Sequence, residues 1–374
     1  MKKSAFLSLL LTAIMWVFLL VGCTSNSTQT TDMDDEVQTE EDTTGLEYPG
    51  FEVGSTIGVS LPWLGTQNWT EAEELFASEL VKAGYVPIIQ EADQTVTKQQ
   101  QQISSMIESG AKVIVVGPVD SAQLGDVLEE ARDNGIYIIG YDRLLENTTG
   151  VDGVVQFSSI KTGELQAETL IAGLEEKKGD APYRIELFGG GPSDPNSLNF
   201  FIGAMSVLQP EIDDGTIIVE SNQTDFIECA IADWNNEKAF GRMASLLNEY
   251  YSDKEIDGVL CPNDGIARSC ITACENNGQD IPVVSGLDAE NESVEWIWNG
   301  KQYSTIAKPT KSLVAKTLEL ISSLQQGNGM PATNSSVDNG EIEVPVYELD
   351  PIVVTKDNIE EVFADDPERS ILLN

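Results

Sequence analysis

Histidine is absent from the 374-residue sequence. Because histidine is the commonest general base and the commonest zinc ligand, its absence excludes serine–histidine and cysteine–histidine nucleophile systems. Cysteine is scarce as well, with five residues and no Cys-x-x-Cys pair, and the sequence contains no Asp-x-Asp-x-Asp-Gly loop. Cys270 and Cys274 lie four apart on a predicted helix, so a metal spacing could be argued, but no histidine or Cys-x-x-Cys pair completes it. The EF-hand calcium loop is missing as well, and we expect neither a metal ion nor a cofactor.

Basic residues are also few, since 21 Lys and Arg stand against 62 Asp and Glu and give a formal net charge of −41. Such a charge repels phosphate backbones and anionic lipid head groups. We therefore expect no nucleic-acid partner, and any membrane attachment has to be covalent or hydrophobic. Apolar residues make up 41% of the chain, which is enough to form buried cores, and the length predicts two domains.

The N-terminus has the features of an export signal. Met1-Lys2-Lys3 is a short basic start, and an almost unbroken apolar run over 5–21 leads into Leu20-Val21-Gly22-Cys23. This last stretch resembles the bacterial lipobox, at which the signal is removed and the cysteine is lipidated. A single transmembrane anchor is the alternative, because the run approaches the ~20 residues that span a bilayer. We expect a signal peptide at 1–22 and a lipid anchor on Cys23, at the outer face of the cell membrane.

The segment after this cysteine lacks any apolar period. Residues 24–48 are rich in Ser, Thr and Gln and contain acidic residues but no basic one. Such a composition is typical of flexible linkers. We therefore expect residues 23–50 to form an acidic tether between the lipid anchor and a folded body.

From residue 56 onward, short apolar segments alternate with amphipathic ones. Predicted strands cover 56–61, 86–90, 113–116 and 136–141 in the first half, and 184–188, 216–220, 258–261, 282–285 and 304–307 in the second. Helical periodicity fills the intervals, for example over 97–110 and 160–176. Continuous β-branched strands between amphipathic helices predict parallel sheets that are covered on both faces. The predicted fold class is α/β, with two doubly wound parallel-sheet lobes.

Polar residues gather where these strands end. Asp142 and Arg143 follow the predicted strand 136–141, and Asn263 and Asp264 follow the strand 258–261. Asp288 follows the strand 282–285, and Lys308 follows the strand 304–307. In open α/β sheets, ligands bind beyond the carboxyl ends of the strands. Any one of these residues could instead be a helix cap or a loop residue, but four equivalent positions favour a binding site. Sugar hydroxyls suit this set, because each can donate to a carboxylate and accept from a guanidinium, ammonium or amide group.

Tryptophan supplies the apolar half of such a site, because the C–H face of a pyranose packs against an indole ring. Trp69 follows the first strand and Trp234 precedes a helix in the second half, so one ring from each lobe can enclose a sugar. By composition, Trp63, Trp296 and Trp298 are equally available. An isolated tryptophan is more often a core residue than a ligand platform.

Longer motifs surround these residues, and they carry a family resemblance. They are Ile57-Gly58-Val59-Ser60-Leu61-Pro62, Tyr141-Asp142-Arg143-Leu144, Ile185-Glu186-Leu187-Phe188-Gly189-Gly190, Gly203-Ala204-Met205-Ser206-Val207-Leu208-Gln209-Pro210, Pro262-Asn263-Asp264-Gly265 and Gly286-Leu287-Asp288-Ala289-Glu290. On these motifs, the chain over roughly 53–354 resembles periplasmic-type sugar-binding proteins of the ribose, xylose and galactose class. It resembles most closely the multiple-monosaccharide-binding lipoproteins that serve ABC importers.

The resemblance implies a periplasmic binding protein type I fold, in which three crossovers form a hinge between two lobes. The strands place these crossovers near 156, 307 and 345. The N-terminal lobe would then consist of 51–156 plus 308–345, the C-terminal lobe of 157–307 plus 346–364, and a frayed tail of 365–374.

The resemblance also implies site residues. Asp142, Arg143, Asn263 or Asp264, Asp288 and Lys308 would bind sugar hydroxyls, Trp69 and Trp234 would stack on the ring, and Asn196 would reach the ligand. Family members often have an arginine directly before the first stacking tryptophan, and members of the multiple-monosaccharide branch often have one before the second. This sequence has Asn68 and Asp233 in those places. With two fewer guanidinium groups the ligand set can differ, so we expect a neutral monosaccharide, pentose or hexose, only as a class.

The implied function is that of a monomeric, lipid-anchored binding protein without enzymatic activity, which delivers a monosaccharide to an ABC permease and its ATPase. A sensor that presents the sugar to a membrane receptor would use the same pocket. Paired carboxylates such as Asp264 and Asp288 could alternatively serve a glycoside hydrolase.

Two other features carry less functional weight. Gly189-Gly190-Gly191 follows a strand but lacks the Lys-Ser/Thr of a P-loop and the glycine spacing of a dinucleotide site, so it does not indicate phosphate binding. The remaining cysteines, Cys229, Cys261, Cys270 and Cys274, are expected to be free buried thiols, although an exported chain permits one disulfide.

Overall fold

The computed structural model describes residues 49–373. The expected signal peptide, the lipid anchor at Cys23 and all but the last two residues of the expected tether lie outside these described residues. No helix within 49–373 is long and apolar enough to cross a membrane.

Strands and helices alternate along the described chain. The strands are β1 (Thr56–Leu61), β2 (Val86–Glu91), β3 (Val113–Val116), β4 (Tyr137–Tyr141), β5 (Gly153–Phe157), β6 (Tyr183–Leu187), β7 (Ile217–Val219), β8 (Gly258–Leu260), β9 (Val283–Val284), β10 (Ser304–Ala307), β11 (Ser336–Asp338), β12 (Glu343–Leu349) and β13 (Ile352–Thr355). Every strand that the apolar runs predicted is present. The short strands β5 and β11 were not predicted, and β12 and β13 fall largely in the valine-rich stretch 345–354, for which a late strand or a crossover was expected.

The helices fill the intervals. They are α1 (Gln67–Lys82), α2 (Val96–Glu108), α3 (Gly125–Asp133), α4 (Ser159–Lys178), α5 (Pro195–Asp213), α6 (Phe226–Cys229), α7 (Asn236–Tyr250), α8 (Asp264–Asn277), α9 (Asn291–Trp298), α10 (Thr310–Gln325), α11 (Ile359–Val362) and α12 (Pro367–Ile371), with a 3₁₀ turn at Ala232–Trp234.

The N-terminal lobe is built on a seven-stranded sheet of order β11-β12-β5-β4-β3-β1-β2. Six of these strands, β12, β5, β4, β3, β1 and β2, run parallel, and β11 is antiparallel at the edge. Val113 and Val115 of β3 pack with α1 and α10, whereas Ile114 and Val116 pack with α2 and α3 on the other face. Full burial of each such side chain contributes about 1.5–3 kcal/mol, so one apolar strand stabilises helices on both sides.

The C-terminal lobe contains a four-stranded parallel sheet of order β7-β6-β8-β9. Val259 and Cys261 pack with α7 and α8 on one face, and Leu260 packs with α4 and α5 on the other. Strands β10 and β13 form a separate antiparallel pair. Both lobes are therefore doubly wound α/β units, as the alternation of apolar and amphipathic segments predicted.

The strand pairing shows where the chain passes between the lobes. It leaves the first sheet after β5 and returns to the N-terminal lobe after β10, where α10 packs on that lobe's core. The last crossover, expected near 345, is wrong by a few residues. Residues 346–349 pair with β5 as part of β12, and only β13, from Ile352, pairs with β10. The crossover therefore lies between Leu349 and Ile352.

The expectation of a frayed C-terminal tail is also wrong. Residues 367–371 form α12, whose first turn is capped by Asp366, with its carboxylate accepting from the backbone N–H groups of Glu368 and Arg369. Leu373 then packs in a small core with Ile359 and Phe363. The acidic composition suggested fraying, but Asp366 caps the helix and the buried Leu373 holds the segment against the core.

The four cysteines within the described residues are buried free thiols, as predicted. They lie in the two cores of the C-terminal lobe. Burial raises the pKa of the Cys229 thiol to about 12. Protonated, inaccessible thiols of this kind are chemically inert.

Candidate ligand-binding site

A cavity of about 380 Å³ lies between the two lobes, beyond the carboxyl ends of strands such as β4, β9 and β10. Its lining consists of Trp63, Thr66, Asn68, Trp69, Asp142, Arg143, Asp194, Asn196, Phe200, Trp234, Asn263, Leu287, Asp288 and Lys308. All the predicted ligand-binding residues except Asp264 are in this lining. A cleft that combines aromatic side chains with a few converging polar groups is a usual site for a small ligand.

A lysine and two aspartates form the charged centre of the cavity. Lys308 Nζ lies 3.2 Å from Asp142 Oδ1 and 3.6 Å from Asp288 Oδ1, and each of the three side chains is at most 10% exposed. Burial raises the pKa of Asp288 to about 6; Asp142 adds to this rise and Lys308 opposes it. Burial alone would lower the pKa of Lys308, but the two carboxylates outweigh it and raise the pKa. The ammonium therefore stays charged inside the cleft.

Three buried polar atoms of the lining have no hydrogen-bond partner among the described residues. They are Asp288 Oδ1, Arg143 Nε and Trp234 Nε1. An unsatisfied buried polar group costs about 1–3 kcal/mol, and such groups are rare unless they have a function. One acceptor and two donors left open in one cavity match a ligand that can both donate and accept hydrogen bonds.

The backbone is strained at the same place. Asp142, Trp234 and Asp288 have φ angles of 64°, 52° and 90°, in a region that favours glycine. Each such residue costs about 1–3 kcal/mol, and strain of this kind is concentrated at ligand sites. The strained backbone aims one side chain from the N-terminal lobe and two from the C-terminal lobe into the cavity.

Arg143 connects the lobes through a residue that the sequence did not reveal. Its Nη2 lies 2.9 Å from Asp194 Oδ2, and both side chains are at least nine-tenths buried. Its Nη1 donates to the Pro118 carbonyl at 2.9 Å, and its guanidinium carbon lies 5.3 Å from the centroid of the Trp69 ring. The arginine is thus held in one position over the indole. Burial raises the pKa of Asp194, with Arg143 opposing the rise.

Asp194 could have been recognised only as a helix cap. It precedes Pro195 and accepts from the backbone N–H of Asn196, which is the usual start of a helix. Its pairing with Arg143 depends on the lobes coming together. Phe200, which lies one turn further along α5 and also lines the cavity, carried no sequence signal beyond an apolar helix face.

Asn196 reaches the cavity, as the resemblance implied, and also ties the lobes. Its Nδ2 donates to the Asp142 carbonyl at 2.6 Å, and its Oδ1 accepts from Ser159 Oγ at 2.9 Å. The amide therefore supports the strained backbone of Asp142.

The two predicted tryptophans lie in the cavity wall, and glycines make room for both. A Cβ atom on Gly117 would lie 2.9 Å from the Trp69 ring, and one on Gly190 would lie 2.2 Å from the Trp234 ring. Trp69 is 2% exposed and packs against Tyr141, with 5.9 Å between the ring centroids. The glycine-rich segment after β6 thus leaves the space that the Trp234 ring occupies.

The Asn263-Asp264 pair separates into two roles. Asn263 lines the cavity, and its Oδ1 caps α8 by accepting from the Ile266 N–H at 3.0 Å. Asp264 is fully buried outside the lining, where it accepts from the backbone N–H of Glu290 and from Gln302 Nε2, both at 2.9 Å. Burial raises the pKa of Asp264 to about 7, with Glu290 adding to the rise. The carboxylate holds the turn that presents Asp288.

The two residues that replace the family's arginines lie in different surroundings. Asn68 lines the cavity and accepts from Thr66 Oγ1 at 2.5 Å. Asp233 is outside this lining, and its exposed carboxylate pairs with Lys238 Nζ at 2.6 Å. Only the first replacement therefore changes the wall of the cavity itself. Within 49–373, no group of three or more Cys, Asp and Glu side chains could hold a metal ion.

The cleft between two doubly wound lobes agrees with comparisons to known proteins. A family model described as a periplasmic binding protein domain matches residues 57–329. The chain belongs to this family. The family membership and the two observed sheets confirm the predicted periplasmic binding protein type I fold.

Two curated proteins and one solved structure show how far the similarity to other periplasmic binding proteins extends. The multiple sugar-binding periplasmic receptor ChvE of Rhizobium radiobacter is 37% identical over 316 residues, which cover 83% of this chain and 89% of ChvE. The multiple sugar-binding periplasmic protein SbpA of Azospirillum brasilense is 35% identical over 308 residues, which cover 81% of this chain and 86% of SbpA. An ABC transporter solute-binding protein from Clostridium phytofermentans, solved with bound β-D-glucose, has 31% identity and a TM-score of 0.81, covering 86% of this chain and 100% of that one.

Proposed function

We propose that the protein captures a neutral monosaccharide, a pentose or a hexose, between its lobes and delivers it to an ABC importer. The observation that carries the proposal is the composition of the cavity. Two indole rings, Trp69 and Trp234, stand among donors and acceptors from both lobes. A pyranose has matching surfaces, because its C–H faces pack on indole and its hydroxyls both donate and accept.

The charge of the lining favours an uncharged ligand. Three carboxylates, Asp142, Asp194 and Asp288, face two cations, Arg143 and Lys308. Arg143 already pairs with Asp194 at 2.9 Å, and Lys308 with Asp142 at 3.2 Å. An anionic ligand would add negative charge to a poorly solvated site without a free cation to compensate it. A hydroxyl can instead accept from a cation and donate to a carboxylate at the same time.

The relatives support the same class of ligand. ChvE and SbpA are named for binding multiple sugars, and the similar solved structure holds β-D-glucose. By this similarity and by their place in the cavity, we assign the residues as follows: Asp142, Arg143, Asn263, Asp288 and Lys308 bind hydroxyls, Trp69 and Trp234 stack on the ring, and Asn196 and Asp264 hold the backbone that presents the aspartates. These relatives are binding proteins, and we expect no turnover of glycosides.

The partners and the location belong to the same proposal. An importer of this type comprises a permease and its ATPase, and the binding protein works outside the cytoplasmic membrane as a monomer. The lipobox resemblance at residues 20–23 supports a lipid anchor on Cys23. An acyl anchor of more than one chain would keep a strongly acidic protein at an anionic membrane surface.

The test is a thermal-shift screen of the purified protein against pentoses, hexoses and the corresponding uronic acids. A ligand that binds the native state stabilises it by about 2.7 kcal/mol at 100 times the Kd. We expect at least one neutral monosaccharide to raise the Tm and its uronic acid to have a much smaller effect. The Asp142→Asn variant should lose the shift, whereas Asp126→Asn, on the exposed face of α3, should keep it. A flat response to every pentose and hexose would contradict the proposal.

A further inference from the structure

The C-terminal helix α12 contacts both lobes. Arg369, in the middle of this helix, directs its guanidinium group into the space between them. Its Nη2 lies 2.7 Å from Glu71 Oε1 on α1 of the N-terminal lobe. Its Nε donates to the Ala289 carbonyl at 2.9 Å, in the turn that follows β9 of the C-terminal lobe. The third nitrogen, Nη1, lies 2.9 Å from Asp366 Oδ2 of the same segment.

These contacts are shielded from solvent. The Arg369 side chain is 12% exposed and the Glu71 side chain 21% exposed. An exposed ion pair contributes little because water screens it, whereas a charge-assisted hydrogen bond in a partly dehydrated place is roughly twice as strong as a neutral one. All three guanidinium nitrogens are used, and the fork geometry fits two partners that lie on different lobes.

Both anchors of Arg369 adjoin the ligand site. Glu71 lies on the same helix as Trp69, and Ala289 directly follows Asp288. A second contact runs parallel to the first. The backbone N–H of Asn291 donates to Gln67 Oε1 at 2.7 Å, and Gln67 Nε2 donates to Glu71 Oε1 at 2.7 Å.

We propose that Arg369 is a positioning residue that holds α1 and the Asp288 turn together when the lobes are closed. The inference rests on the proposed function, because it assigns Arg369 a role in keeping the ligand enclosed. When the lobes separate, the arginine cannot reach Glu71 and Ala289 at once. The contact therefore stabilises only the closed arrangement and shifts the population toward it.

A contact that exists only in the closed arrangement affects release more than capture. A ligand enters while the lobes are apart, and Arg369 bridges nothing in that arrangement, so its removal does not slow association. It leaves only after the lobes separate, so the dissociation rate rises when the contact is removed. We expect Arg369→Ala to raise the dissociation rate and the Kd about tenfold. This factor corresponds to the low end of the free energies that hydrogen bonds to charged groups contribute.

The experiment combines stopped-flow binding of a monosaccharide with small-angle X-ray scattering of the ligand-free protein. Arg369→Ala should raise the dissociation rate, should not lower the association rate, and should increase the radius of gyration of the ligand-free protein. Arg369→Lys keeps the charge without the fork and should recover only part of the loss. Arg184→Ala is the matched control, because it removes an Arg–Glu contact of 2.9 Å that joins β6 to Glu220 within one lobe, and it should change neither rate.

The outcomes separate this inference from the proposed function. If no monosaccharide binds the wild-type protein, the proposed function fails, and the scattering of Arg369→Ala still tests the lobe contact. If the wild type binds a sugar while Arg369→Ala keeps its rates and its radius of gyration, the inference is overturned and the proposed function stands. An equal loss in Arg369→Ala and Arg184→Ala, with a lowered Tm in both, would also overturn it, since that result indicates a general effect on folding.

Discussion

Lys308 Nζ lies 3.2 Å from Asp142 Oδ1, although 166 positions separate the two residues. Lys308 follows β10, at a crossover between the lobes, and Asp142 follows β4 in the N-terminal lobe. Asp288, from the C-terminal lobe, lies 3.6 Å from the same ammonium group. One lysine at the hinge thus compensates the negative charge of one carboxylate from each lobe. The two carboxylates can share this lysine only when the cleft is closed.

Replacing this lysine should remove both ligand binding and part of the stability. In Lys308→Met the two buried carboxylates lose their cation, which typically costs about 3–5 kcal/mol. We expect the unfolding free energy at pH 8 to fall by this order and the Kd for the sugar to rise about 100-fold. Urea unfolding and calorimetric titration measure the two effects.

The loss of stability should shrink toward pH 5. The pKa of Asp288 is already raised to about 6 and rises further without Lys308, so the carboxyl takes up a proton and loses its unpaired charge. Lys82→Met on α1 is the control, because it removes a solvent-facing pair with Glu79. A stability loss that is equal at both pH values would contradict this account.

The two tryptophans should respond differently to truncation. Trp69 is 2% exposed inside the N-terminal core, so Trp69→Ala should cost about 3–5 kcal/mol of stability as well as binding. Trp234 is only partly buried, and Trp234→Ala should weaken sugar binding about 10- to 100-fold, the range for burial of one aromatic side chain, with a smaller loss of stability. Calorimetric titration and urea unfolding separate these effects. Trp296→Ala removes another partly buried tryptophan of the same core as Trp234 but outside the cavity. It should leave the Kd unchanged, and an equal rise of the Kd in both variants would argue against stacking at Trp234.

A methyl group at Gly190 should disturb the site without touching the ligand. Its Cβ atom would lie 2.2 Å from the Trp234 ring, which therefore has to move. We expect Gly190→Ala to weaken sugar binding about tenfold or more, since over-packing typically costs 1–3 kcal/mol. Gly241→Ala is the control, because a Cβ atom there meets nothing within 4 Å on helix α7. That variant should keep the Kd and gain about 0.5–1 kcal/mol of stability. An unchanged Kd in Gly190→Ala would show that the ring position does not matter.

Asp264 predicts a pH dependence of stability. Its pKa in the folded protein is raised to about 7, above its value in the unfolded chain, so the folded state binds the proton more tightly. Its contribution is therefore fully present below about pH 4, the ordinary carboxyl range, and is lost as the pH rises through about 7. We expect the stability of the wild type relative to Asp264→Asn to fall by roughly 2–4 kcal/mol between pH 4.5 and 8, since one pKa unit corresponds to about 1.4 kcal/mol.

Urea unfolding at several pH values measures this difference. Asp214→Asn is a control of opposite sign, because hydrogen bonds from Thr216 lower the pKa of the exposed Asp214. Its contribution is present above about pH 4 and is lost only at lower pH. A stability difference for Asp264→Asn that stays constant from pH 4.5 to 8 would contradict a raised pKa.

Much of the site could be predicted because parallel sheets present their carboxyl ends on one edge. Asp142 and Lys308 directly follow apolar strands, and Asp288 lies four residues after the end of β9, so their places were visible in the chain. Asp264 satisfied the same pattern but lies beneath the cavity, since a strand end alone does not show whether the next side chain faces the ligand or the helix packed behind it.

Other parts could not be predicted, because they depend on contacts between distant segments. Asp194 was visible only as a helix cap, and its pairing with Arg143 requires the two lobes to meet. Arg369 lies in an acidic segment that was expected to fray, and its partner Glu71 is 298 positions away. The last crossover was expected near 345 but lies after Leu349, because pairing with β5 rather than local composition decides how far β12 continues.

By itself, the sequence determined the α/β class, the two lobes and the family, because apolar strands and amphipathic helices are local patterns that only a covered parallel sheet satisfies. It also determined which residue types stand at the strand ends. The tertiary structure alone decided which of these side chains share one cavity, which glycines admit the tryptophan rings, and how the C-terminal helix joins the lobes. Those properties depend on distances across the cleft, and spacing along the chain does not encode such distances.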